Sequence, residues 1–168
     1  GGTPVTSADG RTLTFPTQVV FSGLEVSRQA YVPATGGDYA RYADSVHNTG
    51  TTTLTVDVLF ACNLGSDAET VVPATSSGDT TFTTDDEWLQ TNDRSVPGTD
   101  RALAHVVQGP GASVRTSGAS LVGDQLTWRF HFTLAPGQTA ALLTFATQKD
   151  DPGDAAAQAE AERLVLLP

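Results

Sequence analysis

From Asn63 to Asp93 the chain reads NLGSDAETVVPATSSGDTTFTTDDEWLQTND, one tryptophan among carboxylates, hydroxyls and amides. Residue types like these serve three chemistries. Calcium takes six to eight hard oxygens from carboxylates, carbonyls and water, and loops rich in Asp, Asn and Gly supply them. On that reading Asp67, Asp79, Asp85, Asp86, Asp93 and Asp100 are the candidate ligands and calcium the one candidate cofactor, but the spaced Asp-x-Asp-x-Asp-Gly loop is missing, and the leading reading of the same acids is solvated side chains that cap turns, with no cofactor. A saccharide-binding surface would use the Trp88 ring as a platform, with the Asn92 amide beside it. Glycoside hydrolysis needs two carboxylates facing each other across a cleft. Asp85, Asp86, Glu87 and Asp93 offer the groups, but sequence neighbours on a strand point to opposite faces, which leaves no identifiable pair.

Other catalytic signatures are missing. No Gly-x-Ser-x-Gly occurs, and no Gly-x-x-x-x-Gly-Lys phosphate loop. His47, His105 and His131 stand far apart in sequence, each inside a predicted strand. The expectation is therefore a chain with no catalytic residues, not an enzyme.

Charge narrows the partners. The net charge is −10, and residues 67 to 100 hold eight acids against Arg94 alone. Such a surface repels phosphate backbones, so nucleic acid is excluded, and no apolar run approaches the roughly 18 residues of a membrane helix. The absence of Met, the leading Gly and the single Lys149 suggest a mature secreted or cell-surface chain, or a piece of a longer one. Cys62 is the only cysteine, expected as a buried free thiol.

The elements that must position these groups are strands. LTWRFHFTL puts Leu126, Trp128, Phe130, Phe132 and Leu134 on one face and Thr127, Arg129, His131 and Thr133 on the other. With the Pro136-Gly137 turn and TAALLTFATQ behind it, residues 124 to 148 read as a β-hairpin. Further strands are expected near Val19 to Val32, Tyr39 to His47, Thr52 to Cys62, Thr70 to Thr75, Thr80 to Thr84, Ala102 to Val107 and Val114 to Ser117. Without helical crossovers, such short strands imply an all-β antiparallel sandwich of about eight to ten strands over residues 1–150. Residues 151–168 read as one short C-terminal α-helix, capped by Asp154, connecting to a following domain.

Two phrases, VHNTGTTTLTVDVLF and WRFHFTLAPGQTAALLTF, each join a turn to an alternating strand. With Asn48, Gly50, Pro136 and Gly137 as fixed points, they resemble the prokaryotic immunoglobulin-like domains of bacterial surface proteins. The resemblance implies an immunoglobulin-like sandwich acting as a non-enzymatic structural or adhesive module. Its partners would be neighbouring domains of the same polypeptide, a glycan or a surface protein. Two alternatives stand beside it: a carbohydrate-binding module built on Trp88, and a self-assembling subunit in which Thr3 to Phe15 adds a strand to its neighbour.

Overall fold

The computed structural model describes residues 2–20, 23–93, 101–150 and 153–167. Eleven strands are described: β1 (Val5–Thr6), β2 (Thr12–Val19), β3 (Leu24–Tyr31), β4 (Tyr39–Asn48), β5 (Leu54–Asn63), β6 (Thr70–Thr75), β7 (Trp88–Asp93), β8 (Ala102–Val106), β9 (Thr116–Val122), β10 (Gln125–Leu134) and β11 (Thr139–Lys149). A 3₁₀ turn at Asp67–Glu69 and the helix α1 (Asp154–Leu164) complete them. All the strand pairings are antiparallel. The expected all-β sandwich is present, but its two layers are unequal. Eight strands form one sheet in the order β1-β2-β3-β4-β11-β8-β7-β6, and three form the other in the order β5-β10-β9.

The alternation read in β10 is what joins the layers. Leu126, Trp128, Phe130 and Leu134 are buried, and Arg129, His131 and Thr133 face outward. Together with Phe60 of β5, the inner row packs on Leu89, Val107 and Leu142 of the large sheet. Trp128 stacks flat on Phe60 with ring centroids 5.1 Å apart. The other face of the large sheet carries α1. Ala157, Ala161 and Leu164 recur at helical spacing and bury against Trp88, Ala102, Ala104, Val106 and Phe145, small residues letting the helix approach closely.

Four local expectations need correction. β10 and β11 do not pair with each other: the Pro136-Gly137 turn passes the chain from the small sheet to the large one. The amide of Asn48 governs that corner, donating to the Thr52 and Leu134 carbonyls at 2.8 and 2.9 Å and accepting from Gly50 N–H. Gly137 takes φ 74°, where a side chain would be strained. Residues 80 to 84 form no strand, whereas Trp88–Asp93, expected as loop, is β7, with its side chains packed on both sides. The segment proposed for strand exchange is engaged within the chain, since β2 pairs with β1 on one side and β3 on the other. Finally, Asp154 is the first helical residue and Gly153 the cap, because the Asp154 carboxylate accepts hydrogen bonds from Gln90 and Asn92 instead.

Candidate functional site

Residues directly opposite in an antiparallel pair share a face. The register pairs Arg28 with Asp44, Tyr42 with Thr144, Ala146 with His105 and Leu103 with Thr91. All of these face the small sheet. Three strands cannot cover eight, so part of this inner face lies open beside the edge of β5 and forms a trough.

A cleft of about 350 Å³ is lined by Arg28, Tyr42 and Thr144, by His105, and by Phe60 and Trp128 from the small sheet. Arg28 is held in place: Asp44 takes two of its five N–H donors at 2.7 and 3.1 Å, and its guanidinium lies over the rings of Tyr42 and Phe60. Trp128 is 6% exposed, and its Nε1 is buried without a hydrogen-bond partner. His105 Nδ1 is buried and unpartnered too, although the residue as a whole keeps some solvent contact. The rings of His105 and Trp128 lie 6.3 Å apart. Burial lowers the His105 pKa from 6.5 to about 4, so the imidazole is neutral at pH 7. The cleft therefore joins a rigid aromatic wall, an indole N–H donor, a neutral imidazole and a fixed guanidinium, a set suited to a polar, uncharged ligand.

Such unpartnered atoms are uncommon in folded proteins, and each calls for a physical explanation. Among the described residues five buried side-chain atoms lack a partner: those on Trp128 and His105, together with Thr91 Oγ1, Asn92 Oδ1 and Arg41 Nε. Trp128, His105 and Thr91 line the trough. Asn92 reaches instead to Asp154 of α1, and Arg41 lies over the Tyr31 ring on the opposite face.

The residues singled out in the sequence lie elsewhere. Trp88 is 5% exposed beneath α1, so its ring is no platform for a sugar, and Asn92, 6% exposed, is committed to Asp154. Asp86 is wholly buried inside its own turn. It accepts from Ser77 N–H at 3.1 Å, from Thr83 N–H and Oγ1 at 2.8 and 3.1 Å, and from Ser76 Oγ at 3.4 Å. Burial pushes its carboxyl pKa up, but the Thr83 and Ser77 donors outweigh that and hold it below the ordinary 3.8. Gln108 ties the same turn to β9, donating to the Thr84 and Asp86 carbonyls and accepting from Thr116 N–H. Asp79 binds Thr81 N–H and Thr75 Oγ1. Asp85 is exposed, Asp93 ends β7, Asp67 opens the 3₁₀ turn, and Asp100 lies outside the described residues. Among the described residues no three His, Cys, Asp or Glu side chains gather to hold a metal. Turn-building hydrogen bonds engage both Asp79 and Asp86.

Sequence reasoning missed the cleft because its parts are dispersed. Trp128 was readable as core, which it is, but its unpaired indole N–H depends on what β8 and β11 place opposite. His105, set between small apolar residues in ALAHVV, was the one signal available.

No protein-family model and no curated protein matches the chain. Its fold does match solved structures. A protein from the human microbiome assigned as a kojibiose phosphorylase aligns with TM-score 0.64 at 8% identity, over 94% of this chain and 21% of that one. A galactose mutarotase-like protein from Lactobacillus casei aligns with TM-score 0.53 at 10% identity, over 86% of this chain and 72% of its own length. An aldose 1-epimerase assigned in Klebsiella pneumoniae aligns with TM-score 0.53 at 13% identity, over 96% and 57%. The chain thus spans about a fifth of the first of these, under two thirds of the third, and most of the second. Immunoglobulin-like surface domains find no support here. The expectation of a non-enzymatic, immunoglobulin-like adhesive module is corrected by the same finding: the β-sandwich is similar in fold to proteins named as a kojibiose phosphorylase, a galactose mutarotase-like protein and an aldose 1-epimerase.

Proposed function

We propose that this chain is a saccharide-holding β-sandwich of a carbohydrate-active enzyme, with the sugar seated in the cleft between Arg28, His105 and Trp128. One observation carries the reading: two buried polar atoms, Trp128 Nε1 and His105 Nδ1, stand without partners in the same aromatic-walled cleft. Leaving each unpaired costs roughly 1 to 3 kcal/mol, which a ligand rich in hydroxyls would recover. A volume of about 350 Å³ falls within the roughly 300 to 1,000 Å³ typical of small-molecule sites. The names borne by the proteins of similar fold, all of sugar-converting enzymes or their likenesses, agree in ligand class.

The two tryptophans make a direct test. An ¹⁵N spectrum contains two indole signals, one from Trp128 in the cleft and one from Trp88 beneath the helix. Titration with galactose, glucose or kojibiose to tens of millimolar is expected to move the Trp128 signal and leave Trp88 still. Movement of Trp88 alone, or of neither, overturns the reading.

A second reading, suggested by the names of the proteins of similar fold, has His105 of the cleft exchange protons with the anomeric hydroxyl and the ring oxygen as the sugar ring opens and closes. Polarimetry on freshly dissolved α-galactose decides it. A rate above the buffer blank that vanishes in His105→Phe assigns the proton transfer to His105, and a blank rate removes that role.

A further inference from the structure

Resting on that reading, we infer that the ligand is an oligosaccharide chain lying along the edge of β5, and not a single sugar. The deep cleft is the first of three that run together. A second, of about 460 Å³, shares His105 and Ala146 with it. A third, of about 310 Å³, shares Leu103 and Gln148 with the second. The chain of β5 walls both ends: Phe60 and Cys62 border the first cleft, and Leu64 and Ser66, just beyond the strand, border the third, while Pro33, Asp38 and Ala40 wall the second. From Leu59 to Leu64 the chain advances ~17 Å at roughly 3.3 Å per residue, more than twice the width of a pyranose ring.

The polar atoms lacking partners are distributed along the same line. Trp128 Nε1 and His105 Nδ1 stand at one end, and Thr91 Oγ1 at the other. Thr91 is 1% exposed and lines the third cleft, beside Leu103 and two residues along β7 from Leu89, the partner of His105. A single ring fills one of the three clefts; a chain of several rings fills them in succession.

The experiment compares affinities across chain length. Glucose, maltose and maltotetraose, with the cellulose and β-1,4-galactan series in parallel, are titrated into the protein while both indole signals are followed. Affinity is expected to rise at least tenfold from one ring to four in one of the series. Gln148→Ala, at an exposed position lining the second and third clefts, is expected to weaken the tetramer about fivefold and leave the monomer unchanged, whereas Trp128→Phe, followed by calorimetry because it removes the indole signal, weakens both. Equal affinity for one ring and four, with the Trp128 signal still moving, overturns the extended chain and leaves the sugar cleft standing. Silence of the Trp128 signal in every series overturns both.

Discussion

The turn around Asp86 and the cleft around His105 flank neighbouring strands of one sheet, and both bury polar groups, yet they are resolved in opposite ways. In the turn, each oxygen of the Asp86 carboxylate meets donors from its own loop, and Gln108 fastens the loop to β9. In the cleft, an indole N–H and an imidazole nitrogen meet nothing. A buried polar group answered from within is architecture, whereas one left unanswered in a concavity marks where something else binds. The difference teaches that the density of polar residues in a sequence is a poor guide to a site. What matters is whether the fold uses them up.

Breaking the turn is the largest expected effect. Asp86→Ala strands several buried donors and is expected to cost about 3 kcal/mol, measured by urea denaturation. The acid limb of the wild-type stability curve carries the same signature. Because the Asp86 pKa is depressed on folding, its contribution is complete above 3.8 and is lost as pH falls through the still lower folded value. Asp86→Asn should flatten that limb. Saccharide-induced movement of the Trp128 indole should survive the substitution wherever the variant is folded, keeping the two regions distinct.

The cleft has its own pH window, placed higher. Folding lowers the His105 pKa from 6.5 to about 4, so the unfolded chain binds the proton first. The stability tied to neutral His105 is whole above pH 6.5 and drains away between pH 6.5 and 4. The loss is expected to be about 2 kcal/mol, less than the full shift would convert to, because the ring retains some solvent contact. His105→Phe should remove that slope while leaving the acid limb of Asp86 intact.

A smaller effect separates packing from recognition. Trp128→Phe keeps an aromatic ring against Phe60 but deletes the N–H, and is expected to weaken sugar binding about fivefold, roughly 1 kcal/mol. The smallest lies on the outer face of the three-stranded sheet. Asp57 and His131 sit 3.1 Å apart with both side chains half exposed, and His131→Ala should change stability by less than about 0.5 kcal/mol.

Much of this fold could be read in advance, for a physical reason. Alternation in Leu126 to Leu134, the Asn48-x-Gly50 turn and the run Thr70–Thr75 are local signals, and the strands appear where those signals lie. What could not be read was which strand meets which. Pro136-Gly137 announces a turn, but whether the chain folds back in one sheet or crosses to another depends on Asn48, 86 positions from Leu134. Trp88–Asp93 was hidden because Gln90, Thr91 and Asn92 are polar residues with buried side chains, against the usual grain of composition. The site was less legible still. Arg28, Tyr42, His105, Trp128 and Thr144 come from five strands and two sheets. No local pattern unites them.

The middle of the large sheet joins β4 to β11, strands from opposite halves of the chain. The small sheet is closed in the same way, by β5 against β10. Neither layer can be completed by neighbours along the backbone, so long loops must close before these pairings reward them. Assembly should accordingly be slow and concerted, on the millisecond-to-second scale of topologies rich in distant contacts. Severed between β5 and β8, the polypeptide would become two fragments, each lacking the mate of its central strand. Mixed together, they would have to recover the native form by complementation, at a rate that depends on their concentration.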